Sequence, residues 1–263
     1  MLKDFSKRLS HRPEKPKIKG WGPVSAVLFT LLIYFGSQIV MGLLFGVYVG
    51  LAGLSEAETT RLFEKSTTAQ FVFVFGVAIL SLWFLYGFMK RRSISFADLA
   101  LKKPSFDNIL LALPVFVVYF ITLICILSLV SAALPSINLD QEQQIGFENA
   151  TGYVALTMVF ISLVVLPAFV EEVMVRGFLY GGLVKKFRKL SAALIASLIF
   201  GFAHLQLGSG ESPLWVAAID TFILSMFLIW LRERTGNLWA GIFVHGLKNS
   251  LAFITIFILN INV

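Results

Sequence analysis

Seven stretches of this chain are apolar almost without interruption: about 24 to 52, 69 to 89, 109 to 134, 153 to 170, 190 to 207, 213 to 231 and 238 to 260. A helix needs about 20 apolar residues to cross the hydrocarbon core of a bilayer, and each stretch meets or approaches that length. No water is present in that core to satisfy backbone N–H and C=O groups, so only helices and closed β-barrels can span it. The runs are continuous and lack the period-two alternation of barrel strands. The expected fold class is therefore all-α, a polytopic integral membrane helical bundle of about seven transmembrane helices. Of 263 residues, 57% are apolar and 14% charged, against about 25% charged in soluble domains. A water-soluble enzyme is excluded.

The gaps between runs are short and hold no Pro/Gly/Ser-rich linker, so residues 21–263 read as one transmembrane domain behind a basic segment at 1–20. That segment carries Lys3, Lys7, Arg8, Arg12, Lys15, Lys17 and Lys19. The run after it is much longer than the roughly 7 to 15 apolar residues of a signal peptide, and is expected to stay as an anchor. Every second gap is basic: Lys90, Arg91, Arg92, Lys102 and Lys103, then Lys185, Lys186, Arg188 and Lys189, then Arg232 and Arg234. The alternate gaps are neutral or acidic, with Asp140, Glu142, Glu148 and Glu211. By the positive-inside rule the N-terminus lies in the cytoplasm, and the absence of an organelle signal suggests a multi-pass protein of a plasma membrane. The net charge of +7 is then topology, and no nucleic-acid surface is expected. Cys125 is the only cysteine, so an intrachain disulfide is impossible. Gly42, Gly46 and Gly50 form a small-residue stripe that lets another helix approach closely.

Ionisable side chains inside a membrane cost about 2.5 to 3.5 kcal/mol each and mark function when present. The first three spans have none. The second half holds Glu171, Glu172, Arg176, His204, Asp220, His245 and Lys248, with the polar Asn249. Counted from the basic gaps at about 1.5 Å per residue, Glu171, His204 and Asn249 each lie about 21 to 22 Å deep, with His245 and Asp220 at about 16 and 18 Å. Four helices thus bring polar groups to a common level.

Glu172 and Arg176 are four residues apart and can pair on one helix face, while Glu171 is turned about 100° away. Glu171 is then the unpaired carboxylate suited to proton transfer. His245 and Asn249 also share a face. Two hydrolytic chemistries fit. Glu171, His204 and His245 could hold Zn²⁺ with a fourth position open for water. Alternatively Glu171 and one histidine activate water without metal, with His245 and Asn249 donating to the oxyanion. Hydrogen-bonded helix glue and a proton-coupled transporter using Glu171 and Asp220 are the competing readings.

EEVMVRG (171 to 177), FGFAH (200 to 204) and HGLKN (245 to 249) resemble the EExxxR, FxxxH and HxxxN motifs of the CPBP family, the CAAX prenyl protease 2 (Rce1-type), Abi and bacteriocin-processing membrane proteases. RTGNLWAGIFVHGLKNS (234 to 250) resembles the last motif over a longer stretch. The resemblance covers a protease-like core at about 150–250. It implies an intramembrane endopeptidase, with eight spans commonly found in place of seven. Carried over residue by residue, Glu171 resembles the water-activating glutamate, Glu172 and Arg176 its supporting pair, and His204, His245 and Asn249 the rest of the site. Both a zinc and a metal-independent glutamate mechanism are argued for the family. Asp220 and Lys248 lie outside these motifs, and Asp220 is expected to partner Lys248 in a structural ion pair, with a site histidine as the alternative partner. The implied substrate is a membrane-associated or lipidated polypeptide, and the sequence is compatible with a homo-oligomer. A non-enzymatic immunity or scaffold protein is the alternative from a different class.

Overall fold

The computed structural model describes residues 20–139, 145–206 and 213–261. The basic segment expected at 1–20 therefore falls, apart from Gly20, outside the described residues, as do Asp140, Glu142 and Glu211. The described residues form eight helices and no strand: α1 (Pro23–Ala52), α2 (Glu56–Lys65), α3 (Thr67–Arg92), α4 (Phe106–Ala133), α5 (Gly152–Leu183), α6 (Lys189–Phe202), α7 (Trp215–Thr235) and α8 (Trp239–Ile258). All but α2 and α6 are long and apolar enough to cross a membrane. The chain is a multi-pass membrane protein.

The fifth expected span, 190 to 207, is where sequence and structure differ most. Helix α6 has 14 residues, about 21 Å, short of a hydrocarbon core of about 30 Å. It stops because His204 folds back on it. The His204 Nδ1 lies 2.8 Å from the Phe200 carbonyl, satisfying one of the acceptors a helix C-terminus leaves without an internal donor. Helix α2 is a short polar helix between α1 and α3. Its start is fixed by a reciprocal cap, with the Ser55 amide donating to Glu58 Oε2 at 2.8 Å and the Glu58 amide to Ser55 Oγ at 3.4 Å.

Helix α1 packs through one edge, Ala26, Thr30, Ile33, Ser37 and Met41, against α3 and α5. The Ser37 and Ser81 hydroxyls meet at 3.0 Å across α1 and α3. The glycine stripe expected to admit a helix does not do so within the described residues: a Cβ on Gly42, Gly46 or Gly50 would meet nothing within 4 Å. The close approach occurs instead where Trp21 enters α5. A Cβ on Gly182 would stand 2.5 Å from both Trp21 Nε1 and the Ala26 Cβ. Seated there, the indole donates to the Phe178 carbonyl at 2.8 Å and stacks on the Phe178 ring. A second apolar cluster joins α4, α7 and α8 through Val115, Tyr119, Leu224, Leu228 and Val244. The linker after α3 is tied to the turn before α8 by Asn237 Nδ2 donating to the Lys103 carbonyl at 2.7 Å and Trp239 Nε1 to that of Lys102 at 2.8 Å.

Helix α5 has 32 residues, about 48 Å of continuous helix, and is regular only in part. Its backbone widens to i→i+5 bonding at Ile161–Val165 and again at Glu172–Leu179, where the Tyr180 amide reaches the Val175 carbonyl. Such π segments are rare and occur often at functional sites. Here they flank Glu171 on both sides.

Candidate active site

Glu172 and Arg176 sit in the second wide segment of α5 and are the most deeply buried charges of the described chain, 1% and 0% exposed. Arg176 Nη1 donates to Glu172 Oε1 at 2.8 Å. The guanidinium also lies over the Phe200 ring of α6, 4.3 Å from its centre, a stacking that suits its weakly hydrated plane. The spacing argument for this pair holds even though the backbone around it is not α-helical.

His245 comes from α8. Its Nδ1 is 3.1 Å from the same Glu172 Oε1. A carboxylate accepts, so Nδ1 is the donor toward Glu172. The His245 Nε2 faces Glu171 Oε2 at 3.8 Å. Glu171 is 30% exposed at its side chain against 1% for Glu172. The two neighbouring carboxylates therefore differ as their turn along the helix predicts: Glu172 is an internal counter-charge, and Glu171 looks out of the protein. Glu171 has no partner on its own helix, and the histidine beside it is His245 of α8.

Helix α8 approaches α5 closely enough for this because residue 241 is glycine. A Cβ there would sit 3.1 Å from Glu172 Oε2. One turn beyond His245, Asn249 Nδ2 donates to the Leu163 carbonyl at 3.0 Å. Pro167 has no N–H to send back to that carbonyl, which leaves it open to a donor from another helix. One amide N–H of Asn249 is thus committed to holding α8 on α5, a different use from the oxyanion donor expected from sequence.

His204 reaches the site through Phe200. The Phe200 ring is 4.6 Å from the His204 ring and 6.4 Å from that of His245. The His204 Nδ1 is committed to the Phe200 carbonyl of its own helix. Among the described residues no three His, Cys, Asp or Glu side chains gather into a metal-holding group. The donor set Glu171, His204 and His245 does not meet the arrangement a zinc ion needs. Sequence reasoning found Phe200 through the FxxxH pattern but missed Gly241 and the Leu163 carbonyl as parts of the site. Only the Pro167 signal could have pointed to the last.

Asp220 of α7 stands apart from the carboxylates of α5. Lys248 Nζ lies 3.0 Å from Asp220 Oδ2, the ion pair expected from sequence, and Tyr119 of α4 donates its hydroxyl to Asp220 Oδ1.

Residues 153–251 match the family of type II CAAX prenyl endopeptidases, Rce1-like. A protein of Bacillus subtilis (strain 168) named "Putative membrane peptidase YdiL" is 33% identical over 97 residues, which are 37% of this chain and 36% of that protein. The match thus spans about a third of either sequence. No solved structure matches the chain. The matched region holds all three motifs on the helices that meet around Glu171 and His245, and through residues 153–251 the chain is similar to the Rce1-like family.

Proposed function

We propose that this protein is an intramembrane endopeptidase that hydrolyses a peptide bond in a membrane-associated or prenylated polypeptide. The carrying observation is the facing pair of Glu171 Oε2 and His245 Nε2, 3.8 Å apart, with the Glu172–Arg176 pair behind the imidazole. The gap is too wide for a direct hydrogen bond and leaves a place about 2.8 Å from both atoms for one water molecule. Glu171 takes a proton from that water as its oxygen attacks the scissile carbonyl carbon. The tetrahedral intermediate then collapses, the C–N bond breaks, and the proton on Glu171 passes to the leaving amine. Glu172 orients His245 through Nδ1, and Arg176 neutralises Glu172 in a site with little water. The carboxylate is the base that this geometry offers, while a zinc ion would require His204 to move toward Glu171 and His245.

A cavity of about 440 Å³ flanks the same stretch of α5, lined by apolar and aromatic side chains including Leu85, Met89, Phe96, Phe169 and Val173. Phe169 and Val173 share one face of α5, about 160° round the helix from Glu171, and Glu171 is not among the residues that line the cavity. The positive-inside rule supports an N-terminus in the cytoplasm of a plasma membrane. A transporter would need Asp220 free to relay protons, and Tyr119 and Lys248 occupy it.

The test is cleavage of a membrane-anchored reporter peptide by purified protein, with metal content measured on the same sample. Glu171→Gln should abolish cleavage and wild type should retain it after chelation. Equal cleavage by Glu171→Gln would sink the proposal. Stoichiometric zinc that is lost in His204→Ala would replace the carboxylate mechanism with the metal one.

A further inference from the structure

We propose that Asp220 is a positioning residue for the hydrolytic site, acting through Lys248 on the rotation of α8. This rests on the proteolytic reading above.

Helix α8 carries His245, Lys248 and Asn249 within two turns. At about 100° per residue, Lys248 lies about 60° to one side of His245 and Asn249 about 40° to the other. Each edge is gripped by a different helix. On one side Asn249 Nδ2 holds the Leu163 carbonyl of α5 at 3.0 Å. On the other Lys248 Nζ holds Asp220 Oδ2 of α7 at 3.0 Å, and Asp220 is itself held by the Tyr119 hydroxyl of α4. His245 lies between the two grips, and its Nε2 is the atom facing Glu171.

The N-terminal half of the chain enters the site here. Helix α4 has none of the motif residues, yet it packs against both α7 and α8, and Tyr119 is fully buried. The three groups make a chain from α4 to α8 that fixes how far α8 is turned. Apolar packing alone resists separation of helices better than rotation, because side chains of similar size can exchange places along a helix face. Lys248 and Asp220 are only partly exposed, 24% and 13% at their side chains, and a charged pair pinned by the Tyr119 hydroxyl has one register, a use attested for polar pairs between helices. Displacement of a reacting group by about 1 Å can cost about a hundredfold in rate, so a small turn of α8 suffices.

The experiment compares wild type, Glu171→Gln, Lys248→Arg, Tyr119→Phe and the double variant Asp220→Asn/Lys248→Met in lipid nanodiscs. The readouts are thermal unfolding, kcat and KM on the reporter, and hydrogen exchange across α8. Removing both charges leaves no uncompensated buried ion, so the double variant should unfold near the wild-type temperature. Its kcat should fall by about tenfold or more at unchanged KM, and the α8 amides near His245 should exchange faster. Lys248→Arg, which keeps the charge, should retain most of the activity. If the double variant keeps wild-type kcat and wild-type exchange in α8, the pair is only glue and the proposal is overturned. Should the double variant fail to fold, Tyr119→Phe decides: a several-fold loss of kcat supports the proposal and wild-type kcat overturns it. If Glu171→Gln cleaves as fast as wild type the proteolytic reading is what has failed, and the exchange data still report whether Asp220 sets the position of α8.

Discussion

Replacing Arg176 with methionine leaves the Glu172 charge at 1% exposure, with His245 as its remaining partner. Methionine fills most of the arginine stem's volume, so cavity formation is minor and the electrostatic loss dominates. Breaking a buried ion pair from one side costs about 3 to 5 kcal/mol, because the surviving charge stays desolvated. The cation–π contact on Phe200 is lost as well and is included in that figure. Against a total stability of about 5 to 15 kcal/mol, this is a fifth or more of what holds the fold. Arg176→Lys should lose less, since it keeps the charge but gives up the planar contact with Phe200. Glu172→Gln/Arg176→Met removes both charges and should recover at least about 2 kcal/mol of the loss seen in Arg176→Met. The assay is equilibrium unfolding in mild detergent, with the four proteins of the double-mutant cycle compared under one condition. Additive effects in that cycle, or an Arg176→Met protein as stable as wild type, would refute the view that Glu172 is charged and depends on Arg176. Cleavage should not follow stability: the double variant regains its fold but has lost the group that orients His245, so its kcat should stay low.

Pro167→Ala restores an N–H that can bond the Leu163 carbonyl in an α turn and so compete with Asn249. The expected result is lower kcat with no loss of stability, checked by pairing cleavage with unfolding, and unchanged kcat would count against the Asn249 grip. In the linker before α4, the Ser95 hydroxyl and amide donate to Asp98 at 2.6 and 2.7 Å and hold its carboxyl below the usual carboxylate range. A depressed folded-state value means that this contribution to stability is complete above the ordinary value near 4 and fades as pH falls through the lowered one. Asp98→Asn should therefore flatten the acid limb of the stability profile below about pH 4, and an unchanged slope there would rule the interaction out as its source.

The spans and the Glu172–Arg176 pair were legible because they depend on local rules, a run of apolar residues and a spacing of four. The Asp220–Lys248 pair was legible for a related reason: charges at similar depth in apolar helices have few choices of partner. Long-range contacts were not. Trp21 and Phe178 are 157 positions apart, and nothing around Gly181 or Gly182 says that an indole from the N-terminal segment fills the space. Glu171 read as unpaired because its helix neighbours are apolar, whereas its companion arrives on another helix. The span expected at 190 to 207 was too long because hydropathy continues past Phe202 while the backbone does not, the imidazole of His204 having turned back to close the helix. The glycines of α1 looked like a packing stripe, but the buried edge of that helix runs through Ala26, Ile33, Ser37 and Met41.

The wide segment at Glu172–Leu179 has a consequence for how this sequence can vary in length. A π turn accommodates an extra residue that a regular helix would not hold. Deleting one residue there would let the backbone relax to α bonding with the two ends of α5 still near their present phase, whereas the same deletion in a regular α stretch would turn them by about 100° relative to each other. At one end of the segment is the seat for Trp21, and at the other are the carboxylates that meet His245. A single gap in this segment can therefore be absorbed, while the same gap in the regular part of α5 would take Glu171 out of phase with the rest of the bundle.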